Sequence, residues 1–362
     1  MKKNLLYTKS QSWIKKFNNL LIISGPCSAE NEKQVLETAK RIDKKYVQVF
    51  RSGIWKPRTR PNNFEGIGEI GFNWLKKVKE KFKFLIAIEI ANSKHVEIAL
   101  KHNVVDIFWI GARSTVNPFT VQEIAESLSG TDKIVLVKNP INPDLELWIG
   151  SLERLINKNI NNIGVIHRGF SNFGKSKYRN NPYWKIALEF KKNLPNIPII
   201  CDPSHISGNK KYIYELSKKA IIDFGFNGLM IESHCNPSKA LSDANQQIIP
   251  EKVSEIVELL KIELNQEKKY KILDLFRYQI DEIDENIISL LYERSNVSKN
   301  IGKFKKRNNI NIIQSKRWEK IINNFNDLKE ILGYSENFKK FIDELYKIIH
   351  DNSIFIQKNI KL

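Results

Sequence analysis

The chain has 362 residues, of which 41% are hydrophobic and 27% charged, as expected for a globular protein long enough for two domains. Lysine and arginine outnumber aspartate and glutamate by 59 to 40, which gives a formal net charge of +19 at pH 7. Because the basic residues are scattered through every segment and accompany no zinc-finger or RNA-binding motif, we expect small anionic substrates and no nucleic-acid partner.

The N-terminal segment is positively charged but has neither a continuous apolar core nor a small-residue cleavage site. No apolar run approaches the roughly 20 residues that span a bilayer. The cysteines Cys27, Cys201 and Cys235 are an odd number without an export signal, which argues against a disulfide framework. We therefore expect a cytoplasmic protein that does not bind a membrane.

Eight short, apolar, β-rich runs alternate with amphipathic stretches between residue 21 and about residue 260. This alternation predicts a parallel sheet flanked by helices. Eight such units over roughly 250 residues match a (β/α)₈ TIM barrel. The runs are LIIS from 21, VQVF from 47, FLIAIEI from 84, DIFWI from 106, IVLV from 134, IGVI from 163, IPII from 197 and NGLMI from 227.

A polar or charged side chain stands at the end of every run. This is the end of the strand at which (β/α)₈ barrels carry their active sites, and a barrel does not need charges there for stability. Five of these groups are cations: Arg51, Lys56, Arg113, Lys138 and Arg168. If these five cations point into one mouth of the barrel, they repel each other. An anion that carries a phosphate and a carboxylate would relieve that repulsion.

A thiol, an imidazole and two carboxylates stand at other strand ends. Such a mixed donor set suits a divalent ion such as Mn²⁺, Fe²⁺ or Zn²⁺. The set consists of Cys27, His205, Glu232 and Asp243, with His234 and Cys235 as competing ligands. From the residues alone, a buried structural thiol and a nucleophile remain open as roles for Cys27.

The motifs GPCS, KPRTR, GAR, DPSH and MIESHCNPSKALSDANQ occur at successive strand ends. With these motifs the chain resembles, over about residues 20–250, the type I 3-deoxy-D-arabino-heptulosonate 7-phosphate (DAHP) synthases related to KDO-8-phosphate synthase. The resemblance implies condensation of phosphoenolpyruvate with erythrose 4-phosphate, giving DAHP and phosphate. In that family KPRT is typical of enzymes that take erythrose 4-phosphate, which favours DAHP over KDO-8-phosphate synthesis.

The resemblance also implies roles for individual residues. Cys27, His205, Glu232 and Asp243 would be the metal ligands. Arg58 and Thr59 would hold the phosphate of erythrose 4-phosphate, and Lys56 would donate a proton to the new hydroxyl. The phosphoenolpyruvate site would comprise Arg51, Lys56, Arg113, Lys138 and Arg168.

A charged stretch over residues 261–272 predicts a connection to a second domain. Beyond it, apolar residues recur at spacings of three and four, which predicts a helix on the order of 50 Å long that needs a partner helix, most simply from a second chain. The apolar positions are 276, 280, 283, 287, 290, 297, 301 and 304. Arg294 interrupts this stripe and Lys305 lies on nearly the same face, so two cations on one face predict a dianionic ligand.

Over roughly residues 270–360 the chain resembles the all-helical AroQ class of chorismate mutase. The matching residues are Arg277, Arg294, Lys305, Arg317, Ser353 and Gln357, while Gln314 stands where an acidic residue is common. The resemblance implies rearrangement of chorismate to prephenate without a metal or a nucleophile. The arginines and Ser353 would bind the substrate, and Arg277 would enter the site of the neighbouring subunit. Lys305 and Gln357 would hydrogen-bond the ether oxygen.

We therefore predict a TIM barrel over 1–262 followed by an all-α domain over 263–362. The predicted protein is a bifunctional shikimate-pathway enzyme, and its helical domain joins it into a homodimer or higher homo-oligomer. The alternatives are a KDO-8-phosphate-type synthase, which takes arabinose 5-phosphate, a basic binding protein on a barrel without catalytic activity, and a helical domain that only dimerises or senses a ligand.

Overall fold

The computed structural model describes residues 11–18, 20–58, 61–172, 176–265 and 272–360. The chain divides into two compact units between Gln279 and Ile280. Within the described residues, none of the helices is long and apolar enough to span a bilayer.

The first unit is a closed barrel of parallel strands, eight in the described part of the chain. Each strand pairs with the next in sequence, and β8 pairs with β1 so that Gly25 lies beside Glu232. The predicted barrel is confirmed, with strand ends within about two residues of the predicted runs. The strands are β1 Leu21–Gly25, β2 Val49–Arg51, β3 Leu85–Ile90, β4 Ile107–Ile110, β5 Ile134–Lys138, β6 Ile163–His167, β7 Ile199–Cys201 and β8 Gly228–Glu232.

Helices surround the barrel. They are α1 Glu32–Arg41, α2 Gly71–Phe82, α3 Ser93–His102, α4 Ala112–Thr115, α5 Pro118–Leu128, α6 Leu145–Asn157, α7 Trp184–Asn193, α8 Pro203–Ser207, α9 Ile213–Lys218 and α10 Pro250–Asn265. Helix α10 continues to Asn265, so the predicted connection from 261 begins as helix. Residues 266–271 of that connection lie outside the described residues.

Side chains alternate along each strand between the barrel interior and the layer beneath the helices. Ile23, Trp109 and Met230 belong to the interior cluster. Trp13 closes the N-terminal end of the barrel, where its Nε1 donates to Ile163 O at 3.0 Å. At the opposite end, the next inward positions carry polar groups such as Glu232. The core therefore ends where the polar mouth begins.

His167, at the end of β6, is a core residue of the outer layer and does not face the mouth. It is fully buried, its ring centroid lies 4.9 Å from that of Trp184, and its Nε2 donates to Pro182 O at 2.7 Å. The alternation explains the difference, because Arg168, one residue later, takes the inward direction.

Burial lowers the pKa of His167 to about 4 from an ordinary value of 6.5. Between these two pKa values, the imidazole is protonated in the unfolded chain but neutral in the folded chain. The free energy of unfolding therefore decreases as the pH falls from about 6.5 to about 4. The expected loss is on the order of 3 kcal/mol. Urea unfolding of wild type and His167→Gln between about pH 7.5 and about pH 4.5 should show a smaller decline in the variant; equal declines would contradict a buried neutral imidazole.

The second unit is helical. Its helices are α11 Ile272–Arg307, which begins before the division between the units, α12 Ser315–Ile331 and α13 Glu336–Lys358. Ser335 caps α13, its side chain accepting a hydrogen bond from Phe338 N. The predicted apolar stripe lies on α11 and is open in the single chain, with exposed fractions from 44% at Ile301 to 64% at Leu290.

Candidate functional site

Three of the predicted metal ligands meet at the barrel mouth. One ligand atom each from Cys27, Glu232 and Asp243 lies within 4.8 Å of the other two. Cys27 Sγ is 3.4 Å from Asp243 Oδ2. Cys27 follows β1, Glu232 ends β8, and Asp243 lies in the loop after β8, so barrel closure between β1 and β8 brings the three together.

Gly25, two residues before Cys27, permits the close approach of the first two strands. Its φ is 147°, and a Cβ at this position would lie 2.1 Å from Arg51 O. A larger residue would push β1 away from β2, and Cys27 would move with it. The glycine of the GPCS motif is therefore required by the geometry of the mouth.

His205 lies beside this cluster but outside the 4.8 Å group. Its Nε2 is 3.8 Å from Glu232 Oε1, and its Nδ1 is 2.8 Å from Asp202 Oδ2, in a close contact that is not aligned as a hydrogen bond. Asp202 also accepts the backbone N–H of His205 at 3.0 Å as the cap of α8. An Nδ1 that faces a carboxylate leaves Nε2 as the lone-pair nitrogen, which is the arrangement typical of a ligating histidine.

The donor set fits a divalent transition metal. Burial raises the pKa of the Cys27 thiol, and the carboxylates of Glu232 and Asp243 raise it further. Burial opposes ionisation of Asp243, but His205 and Arg179 outweigh it and hold the pKa of that carboxyl below its usual range. Glu232 Oε1 receives no aligned hydrogen bond from the described residues, although Arg51 Nη2 is 3.1 Å away. A cation would satisfy this oxygen and displace the thiol proton.

Two buried cations lie next to Cys27 in the same mouth. Arg51 is fully buried and stacks on Trp109, with Cζ 4.8 Å from the ring centroid. Its Nε and Nη1 lack hydrogen-bond partners among the described residues. Lys56 Nζ lies 3.1 Å from Cys27 O and 3.2 Å from Cys27 Sγ. Two buried guanidinium nitrogens without partners point to a ligand as the missing acceptor.

The other predicted cations lie further round the rim. Lys138 Nζ pairs with Asp202 Oδ2 at 2.9 Å. Burial, together with the charges of Arg179 and Arg113 and opposed by Asp202, lowers the pKa of Arg168 to about 10. Arg168 remains charged at neutral pH, and the mutual repulsion of these arginines favours an anion between them. Arg113 itself is exposed.

Arg58 connects the loops after β2 and β8. Its Nε donates to Phe64 O at 2.7 Å, and its guanidinium donates to Ser242 Oγ. Ser242 Oγ also accepts from Ser28 Oγ at 2.9 Å, in the loop after β1. Thr59, the predicted partner of Arg58, lies outside the described residues.

Sequence reasoning misses several groups of the site. Asp202 stands at a strand end in the sequence, but its pairing with both Lys138 and His205 is visible only in the structure. Trp109 reads as an ordinary core residue of β4 and forms the surface beneath Arg51. Arg179 comes from the loop after β6, where no periodic signal marks it, and pairs with Asp243 at 2.9 Å.

In the second unit, α11 and α13 bring Arg294 and Ser353 together. Arg294 donates through Nη1 to Ser353 Oγ, and the same nitrogen is 3.4 Å from Ile349 O. Ser353 is buried, whereas Arg294 is exposed in the single chain. The guanidinium is thus fixed at one side and open at the other.

Lys305 and Gln357 line a shared cavity of about 590 Å³. Lys305 Nζ donates to Ile312 O at 2.6 Å, and the buried Gln357 Oε1 receives no hydrogen bond from the described residues. A second cavity of about 380 Å³ is lined by Lys305 and Gln314 among others. An ammonium and an amide at one cavity can both donate to a ligand oxygen.

The two remaining predicted residues of this unit's site are on helix surfaces. Arg317 is exposed near the start of α12 and lines neither cavity of the described structure. Arg277 is exposed on α11, before the division between the units. Within the second unit, the described residues bring together Arg294 with Ser353 and Lys305 with Gln357.

The mouth of the first unit, with its buried cations and candidate ligands, is the candidate active site of a (β/α)₈-barrel enzyme. The chain belongs to the DAHP synthetase I family, whose family model matches residues 8–269. A second model, chorismate mutase type II, matches residues 276–358. A DAHP synthase domain, which is a transferase, and a chorismate mutase domain, which is an isomerase, are therefore both present.

Individual relatives agree with the barrel assignment. The chain is 32% identical over 240 residues to a phospho-2-dehydro-3-deoxyheptonate aldolase from Thermotoga maritima, a match that covers 66% of this chain and 68% of that protein. It is 30% identical over 267 residues to a 2-dehydro-3-deoxyphosphooctonate aldolase from Desulfotalea psychrophila, covering 67% and 89%. The crystal structure of the Thermotoga maritima DAHP synthase superposes with a TM-score of 0.61 at 30% identity, covering 68% of this chain and 69% of that one.

Proposed function

We propose that the barrel condenses phosphoenolpyruvate with erythrose 4-phosphate in a reaction that requires a divalent metal, and that the helical domain converts chorismate to prephenate. The observation that carries the first half is the convergence of Cys27, Glu232 and Asp243 within 4.8 Å, next to the buried Arg51 and Lys56. A thiol and two carboxylates beside buried cations suit a metal ion and an anionic substrate together.

The cations of the mouth would bind phosphoenolpyruvate. Arg51 has two partnerless nitrogens among the described residues, and a guanidinium fork fits a phosphate or carboxylate in two-point contact. Lys138 and Arg168 would share the remaining charge, with Asp202 fixing the Lys138 ammonium at 2.9 Å. Such preorganised cations also stabilise the negative charge that leaves with the phosphate.

Lys56 is the proposed proton donor. When bound, the metal would polarise the aldehyde oxygen of erythrose 4-phosphate. Lys56 Nζ lies 3.2 Å from Cys27 Sγ, and it would give a proton to that oxygen as the new carbon–carbon bond forms. Arg58, tied to Phe64 O and Ser242 Oγ, would bind the phosphate of the sugar, and Thr59 is proposed beside it from the sequence motif.

The test is phosphate release from phosphoenolpyruvate by the purified chain. We expect release with erythrose 4-phosphate, loss of activity with a chelator and recovery with Mn²⁺, Fe²⁺ or Zn²⁺. The 2-dehydro-3-deoxyphosphooctonate aldolases among the relatives make the KDO-8-phosphate reaction the second candidate. Turnover of arabinose 5-phosphate in place of erythrose 4-phosphate would favour it, and chelator-resistant turnover would refute the metal requirement.

The helical domain is proposed as a mutase that works by electrostatic positioning. Arg294, held by Ser353, would bind one carboxylate of chorismate, with Arg277 and Arg317 as further cations. Lys305 and Gln357 would donate to the ether oxygen as its negative charge grows. Chorismate loss, followed in parallel with phosphate release, tests this half separately, and a helical domain that only dimerises would show none.

We also propose that the helical domain forms a homodimer or higher oligomer through the open stripe of α11. Leu290 is 64% exposed and Val297 57%, and a stripe of this length is not stable against water without a partner. We expect Leu290→Glu to lower the mass measured by sedimentation and to reduce mutase activity at least about 10-fold, because the interface would have to bury an unpaired carboxylate. Synthase turnover should be kept. Glu285→Gln, on the opposite face, is the control, and an unchanged mass for Leu290→Glu would contradict this interface.

A further inference from the structure

Arg179 and Asn180 lie in the loop between β6 and α7 and contact the surroundings of three of the four candidate metal ligands. We infer that Arg179 is a positioning residue that fixes Asp243 and Glu232 so that each offers one oxygen to the metal. The inference rests on the proposed metal centre and concerns residues that touch its ligands.

The first contact sets Asp243. Arg179 Nη1 donates to Asp243 Oδ1 at 2.9 Å. The other oxygen, Oδ2, is the one that lies 3.4 Å from Cys27 Sγ. Asp243 has a φ of 49°, in the left-handed region that is uncommon for a residue other than glycine, so its surroundings must hold it there. The arginine thus occupies one oxygen and leaves the other facing the thiol.

The second contact reaches Glu232 through Gln246. Arg179 Nη1 donates to Gln246 Oε1 at 2.9 Å, and Gln246 Nε2 donates to Glu232 Oε2 at 2.7 Å. This leaves Glu232 Oε1 outside the relay, 3.1 Å from Arg51 Nη2 and 3.8 Å from His205 Nε2. Gln246 is almost completely buried, so its hydrogen bond to Glu232 is shielded from water. Each carboxylate therefore has one oxygen bonded to this relay and one turned toward the candidate ligands.

The third contact holds the helix of His205. Arg179 N donates to Ser207 O at 3.2 Å, and Asn180 N donates to Ile206 O at 3.1 Å. Asn180 Nδ2 donates to His205 O at 2.6 Å. One short segment thereby links α8 to the end of β8 and the loop after β8.

Two effects of Arg179 on a metal oppose each other. Its positive charge repels a divalent cation and so weakens metal binding. Its hydrogen bonds orient the ligands, and losing such partners typically weakens metal binding about 10- to 100-fold. Because the guanidinium is already paired with Asp243, much of its charge is compensated, and we expect orientation to dominate.

The test is titration of the full-length chain with Co²⁺, followed by the thiolate-to-cobalt absorption band. We expect Arg179→Met to raise the Kd for Co²⁺ about 10- to 100-fold with the band retained, and Arg179→Lys to restore part of the affinity. Gln246→Ala, which interrupts only the link to Glu232, should weaken binding less. Lys177→Met is the matched control, because Lys177 is in the same loop but pairs with Glu215 at 3.0 Å, and its Kd should equal that of the wild type.

The outcomes separate this inference from the proposed function. A wild-type band with unchanged or tighter binding in Arg179→Met and Gln246→Ala would overturn the positioning role while leaving the metal centre intact. Absence of the band from the wild type would overturn the metal centre and this inference with it.

Discussion

Cys27→Ala should lose synthase turnover by on the order of 10³-fold. A bound metal contributes several kcal/mol of charge stabilisation, and about 4 kcal/mol correspond to about 10³-fold in rate. The alanine removes the sulfur atom from the proposed metal site. In the wild type, Cys27 Sγ lies 3.4 Å from Asp243 Oδ2 and 3.2 Å from Lys56 Nζ. The measurements are phosphate release from phosphoenolpyruvate and the metal content of the purified variant, and both should fall together.

Cys235→Ala is the control for this change. Its thiol lies 3.9 Å from His234 Nδ1, outside the three-residue cluster, and the sequence alone leaves it a competitor of Cys27 as ligand. We expect this variant to keep its metal and its turnover, and both variants to keep mutase activity. Loss of metal from Cys235→Ala with retention in Cys27→Ala would reverse the assignment.

Arg294→Ala should lower kcat/KM for chorismate by about 10²- to 10³-fold. Removing one partner of a desolvated charge pair typically costs about 2–5 kcal/mol, and each 1.4 kcal/mol is about tenfold. The cavity that contains Lys305 would persist, so residual activity should remain. Arg294→Lys should recover little, because an ammonium cannot reproduce the two-point contact of a guanidinium with a carboxylate.

Arg307→Ala, an exposed arginine at the end of the same helix, is the matched control and should leave chorismate turnover unchanged. Synthase turnover should be unaffected in both variants. Full mutase activity in Arg294→Ala would contradict the proposed chorismate site and favour a helical domain that only dimerises or senses a ligand.

The sequence predicts the barrel and much of its mouth because side chains alternate with a period of two along a strand. Val49 lies in the barrel interior, so Arg51 two residues later points the same way, and Met230 is followed in the same manner by Glu232. His167 shows the limit of the reading: a polar residue at a strand end reaches the mouth only in the inward register. A polar residue at a strand end can be assigned to the mouth or to the outer layer by counting whether it lies an even or an odd number of residues from an interior residue of the same strand.

The rest of the site depends on loops. Arg179 lies in a loop with no periodic pattern. Asp243 has a left-handed backbone conformation that the residues around it in the sequence do not predict. Their pairing is a tertiary contact between the loops after β6 and β8, which no local signal encodes. The helical unit is similar: the spacing of α11 predicts its apolar stripe, but that spacing does not encode where Arg317 lies relative to a substrate.

The central claim is that Cys27, His205, Glu232 and Asp243 hold one divalent ion beside a cationic substrate site. A crystal structure of the full-length chain grown with Mn²⁺ and phosphoenolpyruvate, with anomalous diffraction data, tests it most directly. We expect one anomalous peak in bonding contact with all four residues, and phosphoenolpyruvate on Arg51 and Lys138. An anomalous peak away from Cys27, or phosphoenolpyruvate bound outside the barrel mouth, would contradict it.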